Sequence, residues 1–265
     1  KTMDIQNKTV LLTGAAGGID SEIAKQLAQA GASLLLADRN EAQLTALIAQ
    51  LPGKHTPVVA DLSSDAGRGS VLTACQGLAN GLDILINSAG AMDFSFIEKV
   101  NPERLDMMMQ VNVMMPILLT QTVLPLLKKQ PTATAIVNIG STFGSIGYPG
   151  FSAYCTSKFA LRGFTETLRR ELSQDNVSVI YVAPRATQTA LNSDAITEMN
   201  KALKNSMDSP EKVASIVVNA IKKQTASTFI GWPEKLFVKM NGLLPNLVDN
   251  ALKKQLSTIR EFSQK

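Results

Sequence analysis

Residues 9–20 read Thr9-Val10-Leu11-Leu12-Thr13-Gly14-Ala15-Ala16-Gly17-Gly18-Ile19-Asp20, and this stretch decides the fold. Its first five residues form a short apolar run of the length expected for a strand buried on both faces. A glycine-rich turn follows, and from Glu22 to Ala30 apolar residues recur at helical spacing. A strand that passes through glycines straight into a helix gathers unpaired N–H groups and the positive end of a helix dipole at one point. A nucleotide pyrophosphate fits such a point.

The alternation continues outward from there. Apolar runs at 9–13, 33–37, 56–60, 82–86, 135–139, 177–182 and 227–230 read as strands. Between them, helical periodicity covers 19–30, 41–50, 65–79, 102–129, 152–173 and 210–223. Strand and helix in strict alternation predict an α/β fold: a single doubly wound parallel sheet of the Rossmann type, flanked by helices, with ligands at the carboxyl ends of its strands. One domain is expected over 3–231. The polar, Asn/Ser/Thr-rich stretch 188–208 reads as a lid. Residues 232–265 form an extension whose leucines, at near-helical spacing interrupted by Gly242 and Pro245, predict two amphipathic helices.

Composition narrows the chemistry. The chain has 265 residues, 45% of them hydrophobic and 18% charged, which is enough for one sizeable core. With one His and two Cys, it gives poor support to a zinc site, a cysteine cluster or a disulfide framework, so no metal is expected. The net charge of +4 is uneven: residues 1–200 hold 15 basic and 17 acidic side chains, and residues 201–265 hold 11 and 5. No basic stripe interleaved with aromatics crosses the body of the chain, so nucleic acid is not an expected partner. Lys1 and Thr2 precede Met3, read as the initiator, and no signal peptide pattern opens the chain. A cytoplasmic protein is expected.

Asp38 ends the second strand, 20 residues after Gly18. A carboxylate there can accept hydrogen bonds from both ribose hydroxyls and would repel a 2′-phosphate, which favours NAD(H) over NADP(H). Arg39 argues the other way, since a guanidinium could bind that phosphate.

Further along, Asn138-Ile139-Gly140-Ser141 ends the fifth strand, and Tyr154-Cys155-Thr156-Ser157-Lys158 lies early in the next helix. Tyr154 and Lys158, four residues apart, share a helix face about 6 Å apart along the axis. A phenol of ordinary pKa about 10 becomes a usable base when an ammonium stabilises its anion, and Lys158 supplies that charge. Ser141 would hold a substrate oxygen beside it. Cys155 lacks a His partner and reads as a packing residue.

Taken together, these motifs resemble the short-chain dehydrogenase/reductase family over nearly all of residues 5–231. Six match in order: the Thr13 to Ile19 turn; Asp61-Leu62; Asn87-Ser88-Ala89-Gly90; Asn112; Ser141 with Tyr154 and Lys158; and Pro184 to Thr189. The resemblance implies an NAD(P)-dependent interconversion of an alcohol and a carbonyl. Tyr154 is then the general acid/base, Lys158 its modulator and a ribose ligand, Ser141 the substrate-orienting hydroxyl, and Asn112 the holder of a relay water. It also implies that Gly14, Gly17, Gly18 and Ile19 cradle the pyrophosphate and that Asp61 and Leu62 meet the adenine. Asn87, Ala89 and Gly90 then line the adenosine and ribose, and Pro184, Thr187 and Thr189 meet the nicotinamide end. Asp83 matches a position that supports the sheet. A homodimer or homotetramer is implied as well, with 102–129 and 152–173 as contact helices.

Two expected glycines are absent: Asp20 stands at the third glycine of the turn, and Arg185 follows Pro184. A carboxylate about 4 Å from a phosphate costs roughly 4 kcal/mol at an effective dielectric near 20, against about 0.3 to 1 kcal/mol returned by a helix N-terminus. An inward Asp20 would therefore impair cofactor binding, unless Arg185 neutralises it across the cleft, as the opposite charges suggest. The alternative function is a binding or scaffold protein that keeps the fold. Met92, Phe94, Phe96, Phe143, Ile146 and Phe151 are the expected pocket walls and point to a lipophilic substrate. The extension reads first as a subunit contact or pocket cover, and less favourably as an interfacial helix whose Lys235, Lys239, Lys253 and Lys254 face anionic lipid.

Overall fold

A computed structural model describes residues 2–264; Lys1, read above with Thr2 as a prelude to Met3, and Lys265 lie outside the described residues. Seven strands form one sheet: β1 (Thr9–Thr13), β2 (Ser33–Asp38), β3 (Thr56–Val59), β4 (Ile84–Asn87), β5 (Thr134–Ile139), β6 (Val177–Ala183) and β7 (Ser227–Phe229). Their order is β3-β2-β1-β4-β5-β6-β7, and every pairing is parallel. The chain winds outward from β1 in one direction and from β4 in the other, so a crevice opens between them at the carboxyl ends.

Side-chain alternation explains the layers. Val10 and Leu12 of β1, Leu34 and Leu36 of β2, and Ile84 and Ile86 of β4 face one core. That core is covered by α1 (Gly18–Gln29), α2 (Glu41–Ile48) and α8 (Pro210–Lys223) through Ile23, Leu27, Leu44, Val213 and Val217. Leu11, Leu35 and Leu85 face the other core, closed by Val71 of α3 (Asp65–Gln76), Leu119 and Val123 of α5 (Met115–Lys128) and Leu168 of α6 (Ser152–Glu171). Because both faces are covered, the strands read as unbroken apolar runs. Asp83 ties down the sheet floor, accepting from Lys8 Nζ at 2.8 Å and the Thr9 N–H at 2.9 Å. His55 is structural too: its Nδ1 accepts from the Leu34 N–H at 3.2 Å.

Two regions differ from the sequence reading. The helix expected over 102–129 is interrupted: α4 (Pro102–Met109) and α5 are joined by a π-helical turn, Gln110–Met114, that contains Asn112. A polar side chain with bonds to make off the helix axis stabilises such a bulge, which hydrophobic spacing does not reveal. The stretch 188–208 is not without regular structure, because α7 (Asp194–Ala202) forms within it, capped by Ser193 Oγ on the Ile196 N–H at 3.3 Å. Its apolar positions, Ile196 and Met199, bury against the pocket layer rather than the main core, which leaves few of them to show a period.

The extension forms α9 (Glu234–Leu243) and α10 (Pro245–Phe262), broken at Leu244 where Gly242 and Pro245 predict it. Val248 and Ile259 of α10 are buried, and α10 packs on α7 and α9. The outer side of the α9 to α10 corner is apolar: Trp232, Leu236, Leu243, Leu244 and Leu247 are all exposed, Leu243 by 80%.

Candidate active site

The site is built where β1, β4, β5 and β6 end. At the first of these ends, the turn Gly14 to Gly17 closes on itself through a Gly17 N–H to Gly14 carbonyl bond of 2.9 Å. Gly14 has φ +65°, and a β-carbon there would lie 2.7 Å from the Ala89 backbone, so only glycine serves. No side chain caps α1 at Gly17, unlike α2, α3, α4, α7 and α8, whose Asn or Ser caps accept a backbone N–H. Apart from that of Asp20, which its own carboxyl takes, its first N–H groups are left for an outside anion.

The end of β2 supplies Asp38, whose Oδ2 accepts from the Ala16 N–H at 3.2 Å and whose Oδ1 accepts from the Asn40 N–H at 3.0 Å. After β3, Asp61 is held below the usual carboxylate range by the Ser63 hydroxyl and N–H, with a small contribution from the Arg39 guanidinium.

The end of β5 presents Ser141. Its Oγ accepts from the Phe143 N–H at 3.1 Å, and its backbone is held from below by the buried Tyr181, whose hydroxyl donates to the Ser141 carbonyl at 3.3 Å. Tyr181 runs beneath two glycines: a β-carbon on Gly140 would stand 2.2 Å from its ring, and one on Gly144 would stand 2.5 Å from its hydroxyl. The opening turns of α6 carry Tyr154 and Lys158, both buried. Burial drives the Tyr154 phenol well above its ordinary range, with the Ser141 hydroxyl pulling against it. Burial lowers Lys158 to about 8, while the nearby Asp20 carboxyl raises it. Lys158 Nζ donates to the Ile139 carbonyl at 3.2 Å and lies 5.7 Å from the Tyr154 ring centre. The expected net lowering of the phenol by Lys158 is therefore not what the chain alone produces. Within the chain alone, desolvation outweighs the Ser141 hydrogen bond at Tyr154.

Asn112 stands behind this pair. Its Oδ1 accepts from the Ala91 N–H at 2.7 Å, and its Nδ2 donates to the Ala91 carbonyl at 2.8 Å and to Ser157 Oγ at 2.9 Å. Ser157 in turn donates to the Tyr154 carbonyl at 2.8 Å, a link with no signature in the sequence.

The strand ends, the glycine turn, Ser141, Tyr154 and Lys158 open on one cleft of about 1210 Å³. Gly14, Gly17, Gly18, Ile19, Asp38, Arg39, Asp61, Leu62, Ala89, Gly90, Ser141, Tyr154, Lys158, Pro184, Thr187 and Thr189 line it, together with Ser88 of the Asn87 to Gly90 motif and with Ser63, which the sequence reading left out. Thr189 folds back over the turn, its Cγ2 lying 3.1 Å from where a Gly18 β-carbon would be. Asn87 is off the wall, a correction. Its Nδ2 donates to Thr120 Oγ1 at 3.1 Å and Asn138 Oδ1 at 2.9 Å, in a buried network that joins the sheet to α5 and α6. Asn112 likewise does not line the cleft.

The pocket walls are also revised. Met92, Phe143, Ile146 and Phe151 line the cleft, whereas Phe94 stacks behind Phe151 at 4.8 Å and Phe96 lies under the Arg260 guanidinium at 4.1 Å. The extension covers this end: Pro233, Phe237, Val248, Leu252 and Gln255 are wall residues. Cys155 packs, its Sγ accepting from the Tyr148 N–H at 3.4 Å, and burial pushes its thiol up to about 11.

Asp20 turns inward. It is 8% exposed, and burial raises its carboxyl to about 7. The pairing expected with Arg185 does not form. Arg185 instead binds Asp208 (2.8 and 3.1 Å) and Glu234 (3.0 Å), joining the loop after β6 to the segment before α8 and the start of α9. Those partners lie 23 and 49 residues away, beyond what sequence spacing can show.

Residues 8–201 match the short chain dehydrogenase family. The chain belongs to the short-chain dehydrogenase/reductase family. Among similar relatives of this family, a protein named dehydrogenase/reductase SDR family member 7B from Xenopus laevis is 33% identical over 261 residues, covering 92% of this chain and 80% of its own. A 3-oxoacyl-acyl-carrier-protein reductase from Thermotoga maritima is 29% identical over 224 residues, covering 82% and 91%. A short-chain dehydrogenase/reductase from Burkholderia phymatum, solved with NAD, superposes with a TM-score of 0.83 over 92% of this chain and 96% of its own, at 22% identity. The chain is thus an oxidoreductase of this family, which binds NAD(P) and acts on small molecules. Its uncapped α1 terminus and glycine cradle fit a dinucleotide phosphate; the carboxyl of Asp20 is the one group in the turn that does not.

Proposed function

We propose that the protein interconverts a carbonyl and an alcohol on a lipophilic small molecule, with Tyr154 as the general acid/base. One observation carries this reading: Tyr154, Lys158 and Ser141 come together at the strand ends, beside a glycine turn whose helix has no cap of its own. NAD(P), when bound, supplies or removes the hydride. Everything else falls to side chains. Ser141 holds the substrate oxygen against the phenol, and Tyr154 donates its O–H as that oxygen gains charge or takes the proton back in the reverse direction. Lys158 binds beside the ribose and returns the proton to Tyr154, and the Asn112 amide, hydrogen-bonded to Ser157 and Ala91, is the positioning residue for a relay water.

Asp38 supports NAD(H) over NADP(H), since its carboxylate is anchored at the β2 end where a 2′-phosphate would meet it. The apolar wall of Met92, Phe143, Ile146, Phe151, Phe237 and Val248 supports a lipophilic substrate. A homodimer or homotetramer follows the family pattern. The scaffold reading draws on the inward Asp20, and one titration separates the two: NADH should bind with a fluorescence change and bind more tightly than NADPH. Tyr154→Phe should lower kcat by about 10² to 10⁴ and shift the NADH Kd by less than about tenfold. Absence of any binding at millimolar NADH and NADPH would overturn the oxidoreductase reading.

A further inference from the structure

A carboxyl in the first turn of a helix ordinarily faces water, where the dipole favours its charge. Asp20 does not. A β-carbon on Gly17 would stand 2.7 Å from Asp20 Oδ2, so the side chain folds back onto the phosphate turn. It is 8% exposed, and Oδ1 is buried without a hydrogen-bond partner. The groups facing it are Asp38 from β2, the Ser88 hydroxyl after β4, Lys158 from α6 and its own backbone N–H. Arg185, the remaining candidate counter-ion, is held by Asp208 and Glu234. The carboxyl therefore sits with one oxygen unsatisfied in the place where the α1 N-terminus would take an anion.

Ionised, this carboxyl has two things against it: a dry site and the phosphate charge next to it. One proton removes both. It also turns the orphaned oxygen into an O–H donor, which an anionic oxygen accepts strongly.

We propose that Asp20 is a dinucleotide-contacting residue that works in its neutral form, donating its O–H to a pyrophosphate oxygen, so that cofactor binding to this chain takes up a proton. The proposal rests on the dinucleotide reading of the cleft. The balance is simple: ionised protein, one proton and the dinucleotide give the neutral-carboxyl complex, with no other bond changed. In the free protein the carboxyl titrates near 7, so uptake should be small at pH 6 and approach one proton at pH 8.5. Lys158, lowered to about 8, loses charge over the same range and also weakens binding, so the two must be separated by substitution.

The test is NADH affinity by fluorescence at pH 6.0 and 8.5, with calorimetry in two buffers of unequal ionisation enthalpy, on the full chain and on Asp20→Asn and Asp20→Gly. The wild-type protein should bind at least about 30-fold more weakly at pH 8.5, the part owed to Asp20, and take up at least about one proton there. Asp20→Asn, whose amide donates permanently and leaves Lys158 in place, should lose most of the slope and the proton uptake. Asp20→Gly should also lose the slope while binding a few-fold more weakly than Asp20→Asn. Equal wild-type affinity at both pH values overturns the inference. So does a slope that survives in Asp20→Asn, which assigns it to Lys158, or an affinity that rises with pH, which makes the carboxylate an acceptor from ribose. Failure of all three proteins to bind at pH 6.0 overturns the dinucleotide reading itself and this inference with it.

Discussion

Asp208 shows how a buried charge is made tolerable in this molecule. It is 3% exposed in its side chain and receives Arg185 through two nitrogens and Lys212 Nζ at 2.7 Å. Burial alone would push its carboxyl up, but these cations hold it below the ordinary carboxylate range. A depressed folded-state pKa contributes stability that is present above the unfolded value near 4 and is lost as pH falls through the folded one. Asp208→Asn should therefore lower stability by about 1 to 3 kcal/mol at pH 7. Thermal melts should show the gap to wild type closing below about pH 4. The same residue explains what sequence could not show about the site. Arg185 and Asp20 look like partners by sign and by their two missing glycines, yet Arg185 is already satisfied by the carboxylates of Asp208, just before α8, and Glu234 on α9.

At the scale of elements, the loop that follows β5 is set by what lies under it. Tyr181 of β6 passes beneath Gly140 and Gly144 and holds both backbone groups of Ser141, by 3.3 and 3.4 Å contacts. A methyl at Gly140 would occupy space the ring fills, and overpacking of this kind costs about 1 to 3 kcal/mol. Gly140→Ala should thus lower Tm and, because relief moves Ser141, lower kcat by more than the folded fraction explains; activity normalised to folded protein checks it. The central strands were legible because they are buried on both faces, and apolar runs such as Val10 to Leu12 suit a sheet covered by helices on either side. Ser141, Tyr154, Lys158, Asp38 and the glycine turn were legible for a related reason: the chemistry they suit needs those side chains at those spacings. Less legible were features in which a side chain answers a distant backbone. Examples are Asn87 turning away from the cleft into Asn138 and Thr120, and α7, whose apolar side serves the pocket.

At the scale of the whole molecule, the cleft has two ends made by different parts of the chain. The end proposed for the dinucleotide is drawn from the ends of β1 to β3 and from α1, and the end proposed for the substrate from α6, residues 188–208 and the extension, whose Phe237, Val248 and Leu252 close it. Removing residues 233–265 should therefore separate the two. The NADH Kd should stay within about threefold of wild type, while the KM for a lipophilic carbonyl should rise at least about tenfold; titration and steady-state rates on one preparation check both. The π-helical turn at Gln110–Met114 bears on how the ends stay aligned. A π-helical turn holds one residue more than the α-helical turn it replaces, and each residue of an α-helix advances the phase by about 100°. α4, with Met108 against the pocket layer, and α5, with Leu119 and Val123 in the sheet core, are thus two helices set out of phase on one rod. Shortening that rod by a single residue would leave its composition and hydrophobicity nearly untouched while turning one end of the cleft against the other, so the number of residues in this helix is itself a specification of the site.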